Sequence, residues 1–265
     1  MIVYGGSLHS NRRTICQLHT YNEGTAAIQV EQNLVLVDHS ALLSVQPQLA
    51  IKGMACDARH LVIWSGNEIQ VYRMFDSRIE LLSEMQLQSR SISMYKDSLY
   101  IASGNKLLIT SLMGVQRLSV FFPEGEGEPM LMNLCCSILA VVTKTGTLKL
   151  FDVSKKEPSL LHKPQNLYKF VRNDDCFGEI ISVKCNATGS LVSILVSNNN
   201  NGDTYVYVYN ISRQSLTELH CGNVSTPFSN HFWDSAETRL LAVEANSIPS
   251  EAMVCNSMKS FSKKR

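Results

Sequence analysis

Pairs of short apolar strands joined by tight polar turns recur along this chain, and they recur at a nearly fixed interval. Residues 61–74 read LVIWSGNEIQVYRM, residues 99–112 LYIASGNKLLITSL, residues 139–153 LAVVTKTGTLKLFDV and residues 191–211 LVSILVSNNNNGDTYVYVYNI. Each is rich in Val, Ile, Leu and Tyr and is interrupted by Gly, Asn, Ser or Thr, the pattern of a β-hairpin and not of a helical stripe. The first two share Ser-Gly-Asn at the turn, with Gly66 and Gly104 free to take positive φ; the third turns through Thr143 to Gly146. From Tyr205 to Tyr209, Tyr alternates with Val, the period of two that separates the faces of a sheet.

The spacing decides the architecture. Hairpins beginning at Leu61, Leu99, Leu139, Leu191 and Leu240 lie 38, 40, 52 and 49 residues apart, with a weaker one at Leu34. A forty-odd-residue unit of four strands is the repeat of a β-propeller blade. Strand-like pieces at 79–87, 116–122 and 180–185 supply the remaining strands. A blade cannot bury both faces of its own sheet and has to stack on neighbours. The expectation is an all-β fold, an incomplete β-propeller with about five to six blades of the usual seven. Residues 26–250 are assigned to it, 1–25 to unassigned N-terminal strands and 251–265 to a basic, frayed tail.

Composition removes several classes. With 265 residues, 45% hydrophobic and 18% charged, the chain can bury a full core and is not disordered as a whole. A formal charge of +1 offers no field for a polyphosphate backbone, so nucleic acid is not an expected partner. No apolar run reaches the ~18 residues of a bilayer-spanning helix. The opening MIVYGGSLHSNRR places its charges after the apolar residues, the wrong order for a secretory signal, so export is not expected. The cysteines at 16, 56, 135, 136, 176, 185, 221 and 255 show no CxxC and read as reduced cytosolic thiols. The sequons at Asn186, Asn210 and Asn223 would matter only in a secreted chain.

Chemistry-bearing motifs are weak. Asp38-His39-Ser40 holds the residue types of a triad, but neighbours in a turn diverge, and no GxSxG elbow is present. The histidines at 9, 19, 39, 60, 162, 220 and 231 lack metal-ligand spacing. The acidic loop Pro123-Glu124-Gly125-Glu126-Gly127-Glu128-Pro129 would repel phosphate and reads as a solvated loop or a docking surface for a basic partner. Asp174, Asp175 and Asp234 are the carboxylates a propeller hydrolase would use. The tail KSFSKKR, with Lys259, Lys263, Lys264 and Arg265, reads as a solvated end. No catalytic residue, cofactor or metal is expected.

The residues singled out are structural: Trp64, Gly66, Gly104, Gly146, Phe151, Asp152, Gly189, Trp233 and Asp234. ISVKCNATGSLVSIL, containing Gly189, resembles an inner WD40 strand pair, and LKLFDV, ending in Phe151-Asp152, resembles the third WD40 strand with Phe in place of Trp. Trp233 is expected to pack between blades with a partner for its indole N–H, and Asp234 to fix its turn through backbone amides.

AAIQVEQNLVLV (26–37), HLVIWSGNEIQVY (60–72), LFDVSKKE (150–157) and NHFWD (230–234) together resemble, in colinear order over 26–245, the second WD40-type propeller of the intraflagellar transport protein 140 family. The resemblance implies a non-catalytic scaffold of intraflagellar transport complex A, at the cilium and basal body on the cytoplasmic side. That scaffold serves retrograde transport and ciliary entry of membrane proteins, with other complex A subunits and membrane-protein cargo adaptors as partners. Family members carry a further propeller and a helical solenoid that this chain lacks, so it reads as a fragment. The alternatives are a generic WD40 adaptor of a vesicle coat or ubiquitin ligase, and a propeller hydrolase.

Overall fold

A computed structural model describes residues 18–22, 24–170, 178–198, 203–219, 228–234, 239–244 and 253–255. Its described residues form six antiparallel sheets and two short 3-10 turns. The chain divides into two compact units, with the boundary between Met130 and Leu131.

The first unit contains three sheets, each of four consecutive strands. They are β1 (His19–Asn22), β2 (Thr25–Glu31), β3 (Leu34–Asp38) and β4 (Leu42–Val45); β5 (Gly53–Cys56), β6 (His60–Trp64), β7 (Glu68–Met74) and β8 (Ile79–Gln86); and β9 (Ser91–Tyr95), β10 (Ser98–Ser103), β11 (Lys106–Ser111) and β12 (Gln116–Phe121). Sheets stack because each central strand is apolar on both faces. Tyr72 and Met74 of β7 join Val35, Val37 and Leu43 in one core, while Ile69 and Val71 on the opposite face join Ile92, Leu99 and Ile101 in another. The first strands of neighbouring sheets also touch, β1 with β5 and β5 with β9. Consecutive four-stranded meanders, packed face to face and meeting at their first strands, are the blades of a β-propeller.

The second unit repeats the construction. Its first sheet holds β13 (Pro129–Cys135), β14 (Ile138–Thr143), β15 (Thr147–Asp152), β16 (Ser159–Leu160) and β17 (Gln165–Asn166). The next holds β18 (Glu179–Cys185), β19 (Leu191–Ser197), β20 (Thr204–Asn210) and β21 (Ser215–Glu218). The third holds β22 (Phe228–Trp233), β23 (Leu240–Glu244) and β24 (Met253–Cys255). The Tyr/Val alternation of β20 divides as its period requires: Tyr207 and Tyr209 face the core shared with Leu148 and Leu150, and Val206 and Val208 face the one shared with Phe228 and Leu240.

One blade departs from the pattern. Its outermost strand is broken into β16, which pairs with Phe151 and Asp152, and β17, which pairs with Thr147 and Leu148. Residues 161–164 bulge between them. Leu161 still donates its amide to Leu150 O at 2.9 Å, whereas Pro164 has no amide to contribute to the ladder.

The turns that join the strands are built as their residues dictate. At Gly146 φ is +77°, and the Tyr168 ring lies 2.6 Å from where a Cβ would stand. Thr143 closes the same turn by accepting the Thr147 amide on Oγ1 at 3.1 Å. No helix among the described residues is long and apolar enough to cross a membrane.

Candidate functional site

A buried polar cluster lies inside the second unit, where β22 packs against β18 and β19. Its centre is His231, fully buried on β22. Its Nδ1 is 2.9 Å from Ser193 Oγ and its Nε2 3.0 Å from Ser182 Oγ. Ser193 spends its one hydroxyl proton on Lys184 O at 3.2 Å. The imidazole proton therefore sits on Nδ1, which donates to Ser193, and bare Nε2 accepts from Ser182. Burial, with a smaller contribution from the Lys184 charge, lowers the His231 pKa to about 3. The ring is neutral at physiological pH.

Trp233, two residues along β22, donates its indole N–H to the same Lys184 carbonyl at 3.1 Å and packs against the cluster containing Leu195, Val206 and Phe228. The chain turns immediately after it. Asp234 Oδ1 accepts the Arg239 amide at 3.0 Å, and the Asp234 amide donates to Arg239 O at 3.0 Å. The Lys184 ammonium stands 5.9 Å from the Phe232 ring centre, and burial lowers its pKa.

A serine hydroxyl directed at a histidine nitrogen has the outward form of a nucleophile and its base. The chemistry does not follow. A base whose conjugate acid has a pKa near 3 draws little proton from an alcohol, and a serine instead of a carboxylate holds Nδ1. The arrangement is a strut that ties two blades together.

The remaining singled-out residues lie in separate places. Trp64 is buried on β6, its ring against Gly53. Gly66, Gly104 and Gly189 occupy strand-joining turns at φ +104°, +54° and +67°. Phe151 is buried on β15. Asp152 accepts the Ser154 amide at 2.8 Å, and the hydrogen bonds from Ser154 lower its pKa. None of these converges on the His231 cluster, whose Ser182, Ser193, Lys184 and His231 carry no signal in the sequence.

The weaker motifs disperse as well. His39 pairs with Thr25 Oγ1 at 3.1 Å, while Ser40 turns away to Asp76 O at 3.2 Å. Glu128 in the acidic loop pairs with Arg90 at 2.5 Å, and Glu124–Glu126 form a 3-10 turn. Asn186 is buried, its side chain held by Thr188, Ser190 and the Leu191 amide. Cys56, Cys135, Cys136 and Cys185 are not disulfide-bonded, and burial pushes Cys185 up to about 12. Among the described residues no group of three or more His, Cys, Asp or Glu is placed to hold a metal. Asp174, Asp175, Asn223, residues 1–17 and the basic tail lie outside the described residues.

Exposed apolar side chains are present on the blades. Met113 and Val115 are 60% and 65% exposed on either side of Gly114, in the turn joining β11 to β12.

Residues 23–227 match the family described as the IFT140 second beta-propeller. Among solved structures, the chain is similar to the Myceliophteria thermophila Cps50 (Swd1) beta-propeller domain. That match has 12% identity and a TM-score of 0.64, over 87% of this chain and 80% of that one. It is similar to Kluyvelomyces marxianus Hsv2, at 9% identity and a TM-score of 0.59 over 93% of this chain and 74% of that one. It is also similar to Saccharomyces cerevisiae Sqt1, at 14% identity and a TM-score of 0.57 over 88% and 70%. At such identities the likeness is one of fold, the WD40-like β-propeller.

Proposed function

Because the chain belongs to the IFT140 second beta-propeller family, we propose that it acts as a non-catalytic protein-interaction module of intraflagellar transport complex A. In this reading it supports retrograde ciliary transport and the entry of membrane proteins into cilia. It works at the cilium and basal body, on the cytoplasmic side, with other complex A subunits and membrane-protein cargo adaptors as partners.

The family match over 23–227 carries the reading. The chemistry of the described residues supports it. The Ser–His contacts are built around a neutral, buried imidazole, and the polar network around it is spent on holding blades together. Propellers of this construction present strand-joining turns and blade edges as rigid contact surfaces, and exposed apolar residues such as Met113 and Val115 are available for contact.

Affinity capture of the tagged chain from ciliated cells, read by mass spectrometry, tests the proposal. Recovery of complex A subunits is the expected result. Recovery of vesicle-coat or ubiquitin-ligase components in their place would favour a generic adaptor. A folded chain that brings down neither would count against the module.

A further inference from the structure

The broken edge of the blade built on β15 carries an uneven share of the chain's charge. Over the whole sequence 24 Lys and Arg balance 23 Asp and Glu, yet residues 144–169 hold six lysines against Asp152 and Glu157. Lys149 is buried, and the other five, Lys144, Lys155, Lys156, Lys163 and Lys169, are exposed. None of the five forms an ion pair among the described residues. Asp152 is already spent on the Ser154 amide at 2.8 Å. Burial and, to a smaller extent, the Glu179 carboxylate raise the pKa of the Tyr168 phenol, so one further acid stands near this edge.

The fold strings these lysines along one line. Lys155 and Lys156 lie in the turn between β15 and β16, Lys163 in the bulge between β16 and β17, and Lys169 in the 3-10 turn Leu167–Phe170 that follows β17. Lys144 joins them from the turn between β14 and β15, where Thr145 O accepts the Asn166 side-chain amide at 3.3 Å and Gly146 O accepts the Leu167 amide at 2.9 Å. β15, which β16 and β17 flank, is six residues and so about 20 Å long. Along the same edge Leu160 and Leu161 are 45% and 37% exposed where the bulge begins, and Tyr168 is 37% exposed at the Lys144 end.

The occupant follows from residue type. Protein interfaces favour Arg and aromatic side chains and are poor in Lys. Unpaired lysines on long flexible stems suit a fluid anionic surface that has no fixed register to match. Exposed leucines set among them supply the other half of the attraction: they enter the acyl boundary while the lysine stems lie along it, their ammonium groups at the headgroups. We propose that this edge docks the chain on a membrane surface rich in anionic lipid headgroups. The proposal goes beyond the interaction-module reading, and capture of complex A subunits neither requires nor excludes it.

Co-sedimentation of the full chain with vesicles tests the edge. Phosphatidylcholine vesicles containing about 30% phosphatidylserine are expected to bring the chain down, phosphatidylcholine alone to leave it in solution, and a several-fold rise in salt to weaken the binding. Combining Lys155→Glu, Lys156→Glu and Lys163→Glu is expected to weaken it about tenfold or more, since each cation near such a surface is worth up to about fivefold. Leu160→Ser with Leu161→Ser is expected to weaken it several-fold at unchanged charge, a loss that an acidic protein segment held through charge alone would not give. The changed side chains are all exposed, and a melting temperature close to that of the wild type shows that each variant is folded. No binding to the anionic vesicles, or binding undiminished by the three lysine reversals in a folded chain, overturns the proposal. So does a chain that ignores the vesicles yet binds a fluorescein-labelled Glu decapeptide in a manner lost on the lysine reversals, which would assign the edge to an acidic protein.

Discussion

The indole ring of Trp64 on β6 fills the space into which a side chain on Gly53 of β5 would project. The two residues face each other across the strand pair, and the Lys52 amide donates to Trp64 O at 2.8 Å beside them. A methyl group at position 53 would overlap ring atoms Cζ2 and Cε2, and a buried ring wedged against the next blade has little room to give. Gly53→Ala is therefore expected to cost about 1–3 kcal/mol, the range for overpacking a core. Urea denaturation measures it. Combining it with Trp64→Leu should recover part of that loss, since two residues in contact do not add independently.

Trp233 is only partly buried, so its removal should cost less than the ~3–5 kcal/mol of a fully enclosed aromatic. Trp233→Ala is expected to lose about 2–3 kcal/mol by urea midpoint. Trp233→Phe keeps most of the packing and gives up the hydrogen bond to Lys184 O, which sets its cost at about 1 kcal/mol. A Trp233→Ala chain as stable as the wild type would show that the ring adds nothing to the contact between these blades.

His231 gives the stability a pH dependence whose sign is fixed. Unfolded, the imidazole takes a proton near 6.5; folded, it resists protonation to about 3. Below pH 6.5 the unfolded chain gains a proton that the native chain refuses. The stabilisation is therefore complete above that pH and declines as pH falls toward 3. At pH 5 the loss amounts to about 2 kcal/mol. His231→Phe should be weaker at pH 7, because Ser182 and Ser193 lose their partner, but should lose about 2 kcal/mol less than the wild type between pH 7 and pH 5. Urea midpoints at the two pH values decide it, and parallel curves would contradict the buried neutral ring.

Asn186 organises the turn between β18 and β19. It donates to Thr188 Oγ1 at 3.0 Å and Ser190 Oγ at 3.1 Å, and accepts the Leu191 amide at 3.0 Å. Asn186→Ala leaves that amide and the turn unsatisfied, and a loss of about 1–2 kcal/mol in thermal or urea unfolding is expected. A change within about 0.5 kcal/mol, typical of an uninvolved surface site, would show that the turn holds itself.

What was legible in the sequence is what is local. The hairpins through Gly66, Gly104 and Gly146 announce themselves because a turn's φ demand and a strand's period of two are both written within a dozen residues, and the Tyr/Val alternation of β20 sorts its own faces. The His231 strut was not legible. Its partners Ser193 and Ser182 are 38 and 49 residues away, and only the stacking of β22 on β18 and β19 brings them together. Gly53 carries no turn signal, and its requirement for hydrogen at Cα follows from the register that sets Trp64 opposite it.

Whether this chain is a propeller that binds complex A subunits is measured most directly by co-expression with those subunits followed by size-exclusion chromatography. The chain is expected to co-elute with the complex at a defined stoichiometry. A chain that unfolds cooperatively by itself, and so is folded, yet elutes alone in the presence of every other complex A subunit would contradict it.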